Sequence, residues 1–182
     1  MASVYRHAYI TIVATSSHNS RGGCFRRVPA DMISRLLRHS PGLMIQGKDL
    51  GKNPLKRYPE ASYHPLLQRA WMYQERRLSA RVVHFTNTQL VWECKSLRQS
   101  ENGLHYRTVY DFAESGWQSM VHEYSGLRLT FEEDRLPAIA AIVDDEMKVR
   151  PNGTYIAGMW RETLLTDLTW HRYPDPKHPR PR

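Results

Sequence analysis

Apolar and polar positions follow helical spacing most clearly over residues 65–78 and strand spacing just after them. In 65–78, Leu67, Trp71, Gln74 and Leu78 fall along one stripe at about 100° per residue. Pro65 suits the first helical position, where its missing N–H is no loss. An amide, Gln74, therefore lies at the centre of an apolar face, and Glu75 lies on its flank beside Trp71. Buried polar groups cost on the order of 1–3 kcal/mol each unless they find partners. The helix is thus expected either to cap a polar pocket or to use these groups to hold a neighbouring segment. Ser79 and Ala80 end it. Residues 81–85 (RVVHF) and 89–94 (QLVWEC) then read as two strands joined by the hairpin turn Thr86-Asn87-Thr88.

The same pattern predicts elements on both sides. Residues 2–9 (ASVYRHAY) look like the last turns of a helix, followed at once by the β-branched run Ile10-Thr11-Ile12-Val13. Residues 15–23 (TSSHNSRGG) form a polar turn region. It carries only Gly22-Gly23 and no GxGxxG or GK[ST], so a phosphate cradle is not supported. A short helix is expected over 30–39, with Ile33, Leu36 and Leu37 as its apolar side. A long excursion over 40–63 follows, with one strand near Leu43, Met44 and Ile45. Residues 95–107 read as a charged connector. Three helices are expected after it. The first spans 109–124 and buries Phe112, Trp117, Met120, Val121 and Tyr124. The second is capped by Thr130, has Glu132 and Glu133 in its first turn, and buries Leu136, Ile139, Ala140 and Val143. Pro137 should kink or restart it. The third begins near Gly158 and carries Trp160, Leu164, Leu165, Leu168 and Trp170. Residues 171–182 (HRYPDPKHPRPR) read as an extended Pro/Arg-rich tail.

Composition changes this picture in three ways. A length of 182 residues suits one domain, and no apolar run approaches the ~20 residues of a membrane span. The net charge of +8 favours anionic partners. The basic residues are spread along the chain, however, with no basic arm interleaved with aromatics, which argues against nucleic acid. The two cysteines, Cys24 and Cys94, have no CxxC spacing. That excludes a disulfide framework or a zinc site of known spacing and points to reduced, partly buried thiols in a cytoplasmic protein. His84 shares a β region with Cys94, but nothing else points to a Cys–His nucleophile.

Five blocks, in order, carry a resemblance: VYRHAYITIVATSS with GG; RAWMYQERRLSARVVHF; QLVWEC; EYSGLRLTFEEDRLPAIAAI; and YIAGMWRETLLTDLTW at 155–170. Together they resemble the second half of the fungal heterokaryon incompatibility (HET) domain and cover most of residues 4–170. The YVALSYCWG-type strand and the LWIDALCIDQ-type segment that normally open the family pattern are not present. The chain is therefore expected to be a partial HET domain over residues 1–170, its C-terminal portion, followed by the tail at 171–182. The implied fold class is α/β: an incomplete TIR-like or HET-domain sheet with flanking helices and a mostly helical C-terminal half.

The resemblance implies self/non-self recognition leading to cell death in fungi, through protein partners or self-association. The family is distantly similar to Toll/interleukin-1 receptor (TIR) domains, whose enzymatic members cleave NAD with a glutamate on a Trp-Cys-x-x-Glu-like helix. Trp71-Met72-Tyr73-Gln74-Glu75 resembles that helix, with Met72 in place of the Cys. It implies Glu75 as the catalytic carboxylate and Trp71 and Gln74 as ligand contacts, with NAD as a substrate rather than a resident cofactor and no metal. N-glycosidic cleavage needs a carboxylate to stabilise an oxocarbenium-like ribose, and a Glu against an indole has a raised pKa. The structural alternatives are as specific. Glu75 pairs with Arg76, Arg81 or another nearby base; Trp71 is core; Gln74 satisfies a backbone group of the adjacent strand; Trp92 packs inward; Asp134-Arg135 caps and salt-bridges a helix start. The functional alternatives are a non-enzymatic interaction module and a shortened, inactive relative that competes with full-length proteins.

Overall fold

The computed structural model describes residues 2–25, 35–36, 44–45, 64–87, 89–101, 103, 105–106 and 116–169. Helix α1 (Ala2–His7) leads directly into strand β1 (Thr11–Val13), as the change from helical to β-branched residues predicts. Strands β2 (Arg35–Leu36) and β3 (Met44–Ile45) form a small antiparallel pair. The predicted strand at 43–45 is present, whereas 35–36, expected in a helix, are extended and paired; the rest of that predicted helix lies outside the described residues.

A 3-10 turn at Pro65–Gln68 precedes helix α2 (Ala70–Leu78). The two do not run on as one helix, because Arg69 is extended and forms a parallel bridge with Arg128. Ala70 N donates to Arg128 O at 2.9 Å and Arg128 N donates to Gln68 O at 2.7 Å. Two backbone bonds to a distant segment therefore replace one continuous helical ladder.

The main sheet follows. Strand β4 (Arg81–Phe85) pairs in parallel with β1 and antiparallel with β5 (Leu90–Cys94). Strands β6 (Arg98–Ser100) and β7 (His105–Tyr106) extend it, in the order β1-β4-β5-β6-β7. The hairpin predicted at 81–94 is present. The connector expected at 95–107 is instead partly sheet. Its polar residues hid this, because Arg98 and Ser100 point inward and are buried.

The C-terminal half is mostly helical, which completes an α/β fold. Helix α3 (Gly116–Ser125) buries Trp117, Met120 and Tyr124; the part predicted before it, with Phe112, lies outside the described residues. A 3-10 turn at Glu132–Asp134 precedes helix α4 (Pro137–Val149). Thr130 caps neither element, and Pro137 opens α4 within its first turn rather than kinking a longer helix. Ala138, Ile139, Ala141, Ile142 and Val143 face inward, while Leu136 and Ala140 are exposed. The helix expected from Gly158 is instead a hairpin of β8 (Tyr155–Ile156) and β9 (Met159–Trp160), followed by the short helix α5 (Leu164–Asp167). Ala157 and Gly158 have φ of 46° and 103°, the left-handed pair that a tight two-residue hairpin turn requires. Trp170 and the tail lie outside the described residues.

Helix α2 lies between two apolar clusters. Ala70 and Tyr73 join Trp117, Met120, Tyr124, Ile139, Ile142 and Trp160 in the helical layer. Met72 packs with Val13 and Val82 of the sheet. Arg6 of α1 donates to Ala141 O at 2.6 Å and to Asp145 Oδ1 at 3.0 Å, which ties the first helix to α4.

Candidate functional site

Period-2 alternation turns Val82 and His84 of β4 and Val91 and Glu93 of β5 to the same buried face. Trp92, expected to pack inward, is only half-buried, and Glu93 occupies the inward position instead. Its carboxylate is a hub. Arg76 of α2 donates through Nε to Oε2 at 2.6 Å and through Nη2 to Oε1 at 2.9 Å. Arg98 of β6 donates through Nε and Nη2 to Oε1 at 3.2 and 2.8 Å. His84 Nε2 lies 3.1 Å from Oε2, and its Nδ1 lies 3.0 Å from the Thr15 hydroxyl in the loop after β1. One carboxylate thus joins α2, three strands and the β1 loop.

Electrostatics fix the protonation states. Burial disfavours the Glu93 charge, but Arg76, the His84 hydrogen bond and Arg98 outweigh it and hold the carboxyl well below its usual range. Burial, with the Arg76 and Arg98 charges adding to it, pushes His84 down to about 4, against the pull of Glu93. The imidazole is therefore neutral at pH 7, with Nε2–H donating to Glu93 and the Thr15 hydroxyl donating to Nδ1. Hydroxyl, imidazole and carboxylate have the connectivity of a nucleophile triad. Burial closes these three groups to substrate in this state: Thr15 and His84 are 0% exposed and Glu93 1%, and an imidazole held well below its usual pKa is a weak base at neutral pH. The hub organises the structure.

The sequence-predicted residues sit on the next turns of α2. Gln74 is buried, and its Oε1 accepts the Ala141 N–H of α4 at 3.0 Å. It does satisfy a backbone group, but on a helix rather than on the adjacent strand. Trp71 is half-buried against the helical core and donates its indole N–H to Asp134 Oδ2 at 3.2 Å. Glu75 is half-buried and accepts a hydrogen bond from the Tyr5 hydroxyl of α1. Burial raises its pKa, against the opposing effects of Tyr5 and Arg69. Tyr5 is itself pushed up to about 12 by burial and by Glu75. The base that acts on Glu75 is Arg69, whereas Arg76 serves Glu93 and Arg81 donates to Tyr9 O at 3.3 Å with its guanidinium 4.8 Å from the Tyr9 ring. Arg135 pairs with Glu132 ahead of α4, in line with the expected salt bridge there.

Cys94 and His84 are not brought together. Cys94 lies across from Arg81 in the β4–β5 register and its Sγ is 3.5 Å from Ser96 Oγ. Both cysteines are free and half-buried. Among the described residues no group of three or more His, Cys, Asp or Glu could hold a metal ion, and no helix is long and apolar enough to cross a membrane. Strand alternation alone leaves open whether Trp92 or Glu93 faces inward, and nothing local in the sequence pairs Glu93 and His84 with Arg76 and Arg98.

The protein is thus an α/β domain with a mixed open sheet, pinned to its helical layer through α2 and a buried carboxylate hub. Residues 1–75 of the 182 match the family model of the heterokaryon incompatibility protein (HET), so this part of the chain is similar to that family. The match takes in α1 and β1 and ends at Glu75 on α2; the resembling blocks after it lie outside the match. No curated protein and no solved structure matches the chain.

Proposed function

We propose that this chain is a heterokaryon incompatibility-type domain that takes part in self/non-self recognition leading to fungal cell death, with Glu75 as a carboxylate that cleaves the N-glycosidic bond of NAD. The observation that carries the chemistry is that Glu75 is the carboxylate with a raised pKa among those described, while still partly open to solvent. Carboxylates in that state serve as acids, bases or cation stabilisers. The two residues beside it fix the helix on both sides: Gln74 to α4 and Arg76 to the sheet. In the reaction the ribose C1′–nicotinamide nitrogen bond breaks and its electron pair leaves with nicotinamide. Glu75 stabilises the oxocarbenium-like ribose, and water adds at C1′ and loses a proton to the carboxylate or to solvent. Trp71, one turn earlier, supplies an apolar wall. Gln74 acts by holding α2 in place.

Glu75→Gln is expected to abolish NAD consumption by the purified chain and to leave its unfolding free energy within about 1 kcal/mol of wild type, as for an isosteric change at a half-buried position. Wild-type NAD consumption that Glu75→Gln leaves unchanged removes Glu75 from the chemistry. A second reading, a non-enzymatic module acting by self-association, is favoured by the exposed apolar residues Val4, Tyr9, Ile10 and Ile12 along α1 and the outer strand β1. Under it Glu75 is a clamp on Tyr5, and no NAD is consumed by either protein.

A further inference from the structure

The loops leaving the carboxyl ends of the parallel strands β1 and β4 bring together Thr15, Ser16, Ser17, Thr86 and Gln89, all buried. In open α/β sheets the carboxyl ends of parallel strands are where ligands bind. Ser16 N donates to Phe85 O at 3.3 Å, and the next residue, Thr86, holds Gln89 through three bonds. Thr15, Ser17 and Thr86 use their hydroxyls internally, on His84, Gly23 and Gln89. Ser16 Oγ and Gln89 Oε1 do not: each is sealed from solvent and has no hydrogen-bond partner. Ser16 is 3% exposed and Gln89 9%. Two such atoms in one loop cluster are unusual, since buried polar groups are nearly always paired.

We propose that this cluster is a binding site for the hydroxyls of a sugar, with Gln89 Oε1 and Ser16 Oγ as its ligand-facing atoms. A carbonyl oxygen accepts a hydroxyl proton, and a serine hydroxyl donates or accepts, so the pair complements two neighbouring hydroxyls. His84 and Glu93 are engaged with each other and with Arg76 and Arg98, and Glu101 Oε2 accepts the Leu90 N–H at 3.1 Å, so these groups are spent within the fold and the ligand is a neutral one. Phe25 is largely exposed and meets Phe85 edge-on, with ring centroids 5.5 Å apart, giving an apolar wall for the C–H face of the ring. The ligand reaches the two atoms by opening the turn at 18–23, which is closed on itself by Ser17 to Gly23 and by Gly22 N to Asn19 O at 3.2 Å. The site is separate from Glu75 and does not depend on any reaction there.

The test is NMR titration of the full chain with D-ribose and, in parallel, with adenosine, following the Ser16 and Gln89 backbone amides and the Gln89 side-chain amide. Saturable shifts at these resonances with both are expected for a free sugar site, and with adenosine alone for a nucleoside site. Ser16→Ala and Gln89→Leu are expected to weaken binding at least tenfold while the circular dichroism spectrum is retained; if Gln89→Leu fails to fold, Ser16→Ala and the wild-type shift map decide. The proposal is overturned by no saturable shift with either probe, by equal affinity in the folded variants, or by inorganic phosphate shifting the same resonances. A crystal grown in ribose that shows only a water between the two atoms does so as well.

Discussion

At the scale of single residues, Glu93 shows how a charge survives in a sheet core. Isolated, a buried carboxylate would be neutralised or would destabilise the fold. Here two guanidinium forks and an imidazole N–H converge on its two oxygens. Such a hub is weak support for net stability, since well-packed apolar residues often do as well. It does make the arrangement specific, because no other register of β4, β5 and β6 brings these groups together. The histidine makes the hub sensitive to acid. His84 titrates near 6.5 when unfolded and at about 4 when folded. Between those values the unfolded chain binds more protons, so stability is full above pH 6.5 and falls as pH drops toward 4, by up to about 3 kcal/mol. Glu93, depressed in the fold, adds a further loss below the ordinary carboxylate range. Denaturant unfolding between pH 7.5 and 5 checks this, and His84→Gln is expected to be less stable at pH 7.5 with a much flatter dependence. An equal slope in wild type and variant would assign the titration elsewhere. Little of this was legible beforehand: RVVHF and QLVWEC carry apolar residues on both faces, so the alternation did not say whether Trp92 or Glu93 faced inward.

At the scale of elements, α2 decides how the layers meet. Six of its nine residues are buried, on sides facing both sheet and helices, so its polar residues need partners in two directions. Gln74 faces α4 and Arg76 faces β5. The helical stripe through Leu67, Trp71, Gln74 and Leu78 did mark Gln74 as inward. The partner lay 67 positions away on α4, beyond what local spacing can name. Gln74→Met keeps length and apolar contact while removing the acceptor for the Ala141 N–H. The expected effect is a loss of about 1 kcal/mol in unfolding free energy, with faster hydrogen exchange at Ala141. Unchanged exchange there would mean the helix's own carbonyls suffice. The elements misread from sequence share one cause. Polar composition at 95–107 and apolar spacing from Gly158 to Trp170 are both local signals, yet a buried Arg98 and a left-handed pair at Ala157-Gly158 set the backbone there.

At the scale of the whole molecule, the sheet is open on the side of β1, which pairs only with β4 among the described strands. An edge strand offers unpaired N–H and C=O groups, and natural sheets usually guard it with charge, proline or a bulge. This one is Thr11–Val13, with Ile12 63% exposed, and the exposed Tyr9 and Ile10 lie just before it. The nearest charge, Arg81, lies over the Tyr9 ring and on its carbonyl. An edge strand with an exposed Ile12 and no second strand partner among the described residues, in a chain carrying net charge +8, favours pairing with a second copy at high ionic strength, where charge repulsion is screened within about 10 Å or less. Sedimentation of the full chain is therefore expected to show association that grows with both protein and salt concentration. Ile12→Lys, which puts a charge on the exposed face of the edge strand, is expected to abolish it with little change in the unfolding midpoint. Because Ile12 touches neither the Glu93 hub nor Glu75, the same variant separates the two functional readings. Under the enzymatic one its NAD consumption matches wild type, and under the self-association one its capacity to trigger cell death is lost with the contact.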